Sequence, residues 1–254
     1  MDKLRKPFRG VWNIIRFNWH FYVLSVALAL IVLALKNYFN TPLTLMLDIP
    51  LMLILYSTFI SLLISCYVYD FSQLYTFSWL NESVNKDDRK ILNINAGFDE
   101  TSSLLKNKYP TAELEVFDFY NPAKHTELSI KRARRAYPPF PGTRQVSFNY
   151  LPLEENSVDK IFAILSAHEI RDDKERVVFF KELHRVLREQ GKIIVTEHLR
   201  DTNNFFAYTI GFFHFYSKRT WLSTFHNAGF IVNNEIKITP FITTFILAKN
   251  GIAS

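Results

Sequence analysis

Two acid–histidine pairs stand out in the chain. His168-Glu169 follows an apolar run at Lys160–Leu165, and Glu197-His198 follows another at Lys192–Thr196. Both runs have the length and composition of buried strands, so each pair stands just past a strand end. In an open α/β sheet the ligand lies in the crevice beyond the strands' carboxyl ends. An imidazole beside a carboxylate there has the chemistry to take a proton from a hydroxyl or an enol. His168, Glu169 and His198 are therefore the candidate catalytic residues. The plainer alternative is hydrogen bonding that ties loops together. No His-Glu-x-x-His spacing and no cysteine accompanies them, so no metal site is expected.

A second constellation runs from Ile91 to Asp118. Ile91–Ile94 reads as a buried strand, Asn95-Ala96-Gly97 as a turn, and Leu104 and Leu105 as the apolar face of a short helix. A second strand, Leu114–Phe117, ends in Asp118, roughly 20 residues beyond the turn, the layout of a nucleoside-binding half-fold. Backbone N–H groups of such a turn suit polar cofactor groups, and a carboxylate at the next strand's tip suits ribose hydroxyls.

The elements that must position these groups alternate. Strands are expected at Ile91–Ile94, Leu114–Phe117, Gln145–Phe148, Lys160–Leu165, Lys192–Thr196, Ile231–Ile238 and Phe241–Ala248. Helices are expected at about Thr101–Lys108, Thr126–Ala136, Asp173–Arg188 and Lys218–Ala228. Only Thr239-Pro240 joins the last two strands, so they form an antiparallel hairpin at a sheet edge. The fold class is α/β: a doubly wound, Rossmann-like, seven-stranded and mostly parallel sheet with an antiparallel last strand.

Ahead of this domain the composition changes. Hydrophobic residues make up 48% of the 254 and include 24 Phe, ample for a core and high for a purely soluble chain. Residues 17–39 and 49–69 are the two candidate transmembrane helices. Phe21–Leu35 and Ile49–Tyr69 carry no charge, and the second run has about the length one span needs. Trp12, Trp19 and Tyr22 lie at one end, and Tyr67, Tyr69, Phe71, Tyr75 and Trp79 near the other, as an aromatic belt would. Lys3, Arg5, Lys6, Arg9 and Arg16 make the N-terminus basic. By the positive-inside rule the N-terminus and the domain after the hairpin then face the cytoplasm. A helical hairpin buried in a soluble protein is the competing reading. The division is residues 1–80 as anchor and 81–254 as the α/β domain. The one cysteine, Cys66, excludes an internal disulfide.

Two further clusters carry less. Phe205, Phe206, Tyr208, Phe212, Phe213, His214, Phe215 and Tyr216 form an aromatic segment, read equally as a lid or lipid-dipping surface and as ordinary packing. Lys131-Arg132-Ala133-Arg134-Arg135, with Arg144 nearby, is first a solvated face and next a contact for anionic headgroups. No nucleic-acid module accompanies it, so nucleic acid is not an expected partner.

The second half also carries a family pattern. Leu151 to Asp159 (LPLEENSVD) resembles the lead into the fourth strand of class I S-adenosylmethionine-dependent methyltransferases. Phe162–Asp172 resembles their fourth strand and turn, Phe180–Arg188 with Gly191–Val195 their "RVLKPGG" helix end and fifth strand, and Ala228-Gly229-Phe230 the "AGF" before the sixth. The order and spacing cover about Lys90 to Lys249. Glu197–Asp201 and Gly211–Phe215, followed by Trp221, resemble a bacterial subgroup of uncharacterised members. The resemblance implies S-adenosyl-L-methionine as cofactor, with Asn93, Asn95, Gly97, Asp118, Ser147, Phe148 and Ala163 around it. The chain departs from the family at the first turn. Asn93 stands at the acid position, Asn95, Gly97 and Asp99 at the three glycine positions, and Ser147 at the usual adenine-edge acid.

These readings converge on a membrane-anchored methyltransferase with a small-molecule, apolar or lipid-like acceptor (a quinone or other isoprenoid fits) and the bilayer as partner. The alternative is a non-catalytic membrane adaptor on a degenerate methyltransferase scaffold. A nicotinamide oxidoreductase is disfavoured by the missing Gly-x-Gly-x-x-Gly and the antiparallel final hairpin.

Overall fold

The computed structural model describes residues 6–39, 41–83, 88–125 and 127–251. Lys3, Arg5 and Thr126, used in the sequence argument, lie outside them. The chain opens with a helical hairpin, α1 (Arg9–Lys36) and α2 (Thr41–Cys66), and α2 runs on into a π-helical turn at Tyr67–Phe71. Both helices are long and apolar enough to cross a membrane. The first begins well before Phe17. Its start is held by Asp70, whose carboxylate accepts the N–H groups of Gly10 (2.7 Å) and Val11 (2.8 Å). A carboxylate at a helix N-terminus satisfies orphan donors and opposes the positive end of the dipole. Here it comes from the far end of the hairpin, so it also locks the two helices at their base.

The sheet has seven strands in the order β3-β2-β1-β4-β5-β7-β6. They are β1 (Lys90–Asn95), β2 (Glu113–Asp118), β3 (Arg144–Gln145), β4 (Val158–Ile164), β5 (Leu187–His198), β6 (Phe230–Thr239) and β7 (Ile242–Lys249). β1 to β5 pair in parallel, and β7 is inserted antiparallel between β5 and β6. The doubly wound sheet with a reversed last strand is therefore present. The interleaved helices are α3 (Ser102–Lys108), α4 (Leu128–Ala136), α5 (Asp173–Val186), α6 (Thr202–Tyr208) and α7 (Lys218–Asn227). The central strands are near-continuous apolar runs because both sheet faces are covered. β4, for example, buries Ile161, Phe162 and Ala163 completely.

Several boundaries differ from expectation. The third strand is cut to Arg144–Gln145 because Ser147 and Tyr150 pair in a tight turn. α5 stops at Val186, and Leu187 already pairs with Val158, so the fifth strand starts earlier than Lys192. The final hairpin turns at Pro240-Phe241. Phe77 and Leu80, assigned to the anchor on sequence, are buried against Ile91, Leu105, Tyr109 and Phe162. Phe77 and Leu80 thus belong to the core of the α/β domain.

Candidate active site

At the carboxyl edge of the sheet, Asn95 at the tip of β1 lies in register with Asp118 at the tip of β2. The turn that follows β1 contains Gly97 at φ +98°, a conformation that disfavours a side chain. An added Cβ there would lie 2.9 Å from Nη1 of Arg134, the tip of a mobile side chain, and 3.0 Å from Cδ2 of Tyr120, so the torsion is the stronger demand for glycine. Asp118 is buried; its Oδ1 accepts the Tyr120 N–H at 2.8 Å and its Oδ2 accepts the Arg134 guanidinium. That guanidinium stacks on the Tyr120 ring at 4.4 Å. The place where sugar hydroxyls would meet Asp118 thus holds a side chain of α4.

What remains open is small. A cavity of about 60 Å³ lies between Asn95, Gly97, Asp99, Asp118, Arg134 and Tyr137. A cleft of about 290 Å³ beside it shares Asp99, Tyr137, Pro138 and Pro139. Sites that hold a cofactor run from roughly 300 to 1,000 Å³. The lining nevertheless fits a polar ligand. Nδ2 of Asn95 and Oδ2 of Asp99 are buried without a hydrogen-bond partner, and buried polar atoms are rarely left so. The Arg134 side chain keeps 35% of its surface exposed and can swing off Asp118 without unpacking a core. The residues fit a nucleoside once Arg134 has moved.

The expected cofactor residues divide. Asn95, Gly97 and Asp118 line the cavity. Asn93 does not: its amide is buried under the turn, donating to Thr101 Oγ1 (2.9 Å) and Ser102 Oγ (2.8 Å), and so ties the turn to the start of α3. Asp99 holds the same helix start, its Oδ1 accepting the N–H groups of Thr101 and Ser102 at 2.9 Å. Ser147 lies in the exposed turn and donates to Asn149 at 2.5 Å, while Phe148 packs half-buried against the core under Lys124. Ala163 is wholly enclosed in the core cluster with Phe179 and Leu183. These placements put Asn93, Ser147, Phe148 and Ala163 away from the cavity lining.

Beyond β4 and β5 lies the acid–histidine set. Nδ1 of His168 contacts Glu197 Oε2 at 2.6 Å, and its Nε2 is 3.3 Å from Glu169 Oε1. Burial alone would lower the His168 pKa, but the Glu197 and Glu169 carboxylates outweigh it and raise it to about 10. Glu169 is pushed down to about 2; burial opposes that, and the His168 hydrogen bond and charge overcome it. At neutral pH His168 is therefore a charged donor and not the proton acceptor expected of it. His198 is the reverse case. Burial lowers it to about 4, and both its nitrogens are engaged, by the Tyr69 hydroxyl (2.8 Å) and Asn204 Oδ1 (3.2 Å). Its ring stacks on Phe215 at 4.8 Å. No nitrogen of His198 is free for a substrate proton; the ring links the foot of α2 to the sheet.

Sequence reasoning missed Arg134 as the partner of Asp118, and Glu100, which accepts from Asn13 (3.2 Å) and Tyr75 (3.0 Å) and so pins the hairpin to the cofactor turn. It also missed His214, whose ring faces His168 at 5.1 Å. The Arg-rich run and the "FHF" segment were visible, but nothing in their spacing points at partners so far away in the chain.

Comparison with known proteins agrees with this architecture. Residues 101–195 match a family model described as "Methyltransferase domain". No curated protein sequence matches the chain. Among solved structures, a SAM-dependent methyltransferase from Aquifex aeolicus superposes with a TM-score of 0.52 at 17% identity, covering 69% of this chain and 91% of that one. A protein from Pyrococcus horikoshii OT3 gives 0.51 at 16% identity, covering 70% and 90%. A SAM-dependent methyltransferase from Methanosarcina mazei gives 0.50 at 15% identity, covering 68% and 97%. The chain thus carries a class I methyltransferase fold with a matching methyltransferase stretch, and S-adenosylmethionine is the cofactor that this match and this fold support.

Proposed function

We propose that the protein is a membrane-anchored S-adenosylmethionine-dependent methyltransferase whose acceptor arrives from the bilayer, with N-terminus and domain on the cytoplasmic side. One observation carries this reading: the base of the apolar hairpin roofs the carboxyl edge of the sheet. α1 packs Phe17 on Phe98 of the cofactor turn (5.5 Å), and Tyr137 donates to Asn13 at 2.7 Å. The foot of α2 meets His198 through Tyr69. An anchor used only for localisation has no need to sit on the crevice.

Depth supports the same reading. From Phe21 to Lys36 α1, and from Thr41 to Tyr56 α2, each run about 22 Å at ~1.5 Å per residue. Tyr56 donates to the carbonyl of Phe206, which sets where α6 meets α2. The hydrocarbon layer is ~30 Å thick. To span it, the α6 segment must sink by several ångström, within the ~5–10 Å depth of interfacial helices. α6 and the 3₁₀ turn Thr209–His214 after it expose apolar side chains, with Phe206 56%, Ile210 84% and Phe213 65% exposed.

When bound, S-adenosylmethionine supplies an electrophilic methyl group on a sulfonium. Asp118 holds the sugar hydroxyls, and the Asn95–Asp99 turn holds the polar end. His168 and Glu169 orient the acceptor's polar atom as donor and acceptor. Catalysis rests mainly on alignment of the two reactants in a water-poor crevice. The test is calorimetry of the full chain in nanodiscs with S-adenosylmethionine and its demethylated product, on wild type and Arg134→Ala. Binding by either supports the reading, and silence from both at millimolar ligand overturns it. The second reading, a non-catalytic adaptor, draws on the Arg134–Asp118 contact, which a decayed site would keep closed; silence from both proteins is its expected outcome.

A further inference from the structure

The crevice beyond β4 and β5 brings together side chains that the chain keeps apart. His168 and Glu169 sit in the 3₁₀ turn Ala167–Glu169, and His214 ends the 3₁₀ turn Thr209–His214. One ligand atom from each lies within 4.8 Å of the others. Nε2 of His168 is 3.3 Å from Glu169 Oε1, and Nε2 of His214 is 4.0 Å from the same oxygen. A tetrahedral ion with bonds of ~2.0–2.2 Å separates neighbouring ligand atoms by roughly 3.3–3.5 Å, so two of the three are already at that spacing and the third within a rotamer adjustment.

The outer contacts are those of a metal site as well. Each ring offers Nε2 inward and has a carboxylate on its other nitrogen: Glu197 on His168 Nδ1 at 2.6 Å, and Glu127 on His214 Nδ1 at 3.0 Å. Such carboxylate–histidine pairs fix ring orientation and raise ligand basicity. A bound ion takes the place of the proton on His168 Nε2, which is released to solvent; with both imidazoles then neutral, three carboxylates face one guanidinium, that of Arg171, which leaves two negative charges for a divalent cation to balance. Arg171 now stands against the His214 ring, its Nη2 touching Nδ1 and lying 2.7 Å from Nε2. Its side chain is 42% exposed and can withdraw to solvent.

We propose that His168, Glu169 and His214 form a divalent-metal site of the zinc class, with Glu127 and Glu197 as the carboxylates that orient its histidines. Three protein ligands leave a fourth position for water or a polar substrate atom. The site shares His168 and Glu169 with the acceptor pocket of the proposed methyl transfer, and its test reads metal binding alone.

The experiment is titration of the chelator-stripped full chain in nanodiscs with Co²⁺, read by visible ligand-field bands, then competition by Zn²⁺ against a chromophoric chelator. One ion per chain is expected. The bands should disappear in His168→Gln and in His214→Gln, and affinity should fall about 10–100-fold in Glu197→Gln. The His214 side chain is the more exposed of the two, 26% against 16%, so its variant should keep the wild-type circular dichroism spectrum even where His168→Gln does not. No ion held against a micromolar chelator, or binding unchanged in a folded His214→Gln, would overturn the site.

Discussion

The two halves of the crevice solve the same problem in opposite ways. At the tips of β1 and β2, buried polar atoms stand without partners, and the one strong ion pair, Arg134 on Asp118, is half open to water. At the tips of β4 and β5, Glu197 is 1% and His168 16% exposed by side chain, and their charges are spent on each other. The first half is unfinished and waits for a ligand. The second is self-satisfied, and any ligand must replace an internal partner. Burial sets the difference: a half-exposed pair contributes on the order of 1 kcal/mol or less, while breaking a buried one costs several.

The largest expected effect attacks the self-satisfied half. Glu197→Gln removes the buried carboxylate from the part-buried His168 imidazolium and should cost about 3–5 kcal/mol of stability, measured by denaturant unfolding. The same residue predicts an alkaline limb. Because the His168 pKa is raised to about 10, its stabilisation is fully present below about 6.5 and is lost as pH rises through about 10. Thermal scans of wild type against His168→Gln should show that limb only in the wild type. A flat wild-type profile would mean the two halves do not differ in this way.

Next comes Asp118→Ala, which should weaken S-adenosylmethionine binding about 100-fold, the loss of two charge-assisted hydrogen bonds at roughly 1.5 kcal/mol each. Arg134→Ala should do the opposite. If the closed form predominates, removing the plug raises apparent affinity about tenfold, since a ligand that binds only the open state is weakened by the open fraction. Equal affinities for wild type and Arg134→Ala would show that the contact is no barrier. His198 supplies an acid limb of about 2 kcal/mol between pH 6.5 and 5. Its pKa is lowered to about 4, so the folded state resists a proton that the unfolded chain accepts, and stability falls with pH. His198→Gln should remove that limb. The smallest effect belongs to Phe206→Lys with Phe213→Lys. It should leave hairpin insertion intact and only expose α6 to protease in nanodiscs, since a lysine can snorkel near the interface.

Much of the scaffold was legible along the chain. Ile91–Ile94 and Lys160–Leu165 read as strands because strands buried on both faces must be apolar throughout, a local property. Asp118 was legible because its distance from Gly97 is set by one helix and one strand. The third strand was not, since Gln145–Phe148 is alternating enough to be a strand and is broken only by the turn that pairs Ser147 with Tyr150. Asn93 was placed at the ligand because it stands at the acid position of the methyltransferase pattern that the chain resembles. In three dimensions its amide finds Thr101 and Ser102 first.

From the amino acids alone came the order of elements, the charge-free hairpin, the glycine at Gly97 and the carboxylate at Asp118. Each depends on periodicity or on residues within one strand–helix–strand unit. Only the folded chain decided that Arg134 closes over Asp118, that His198 is a strut and not a base, that Asp70 caps the first helix, and that His214 meets His168 and Glu169. Those outcomes depend on side chains tens of residues apart sharing a few ångström of low-dielectric space. There, the nearest available partner settles both protonation and role.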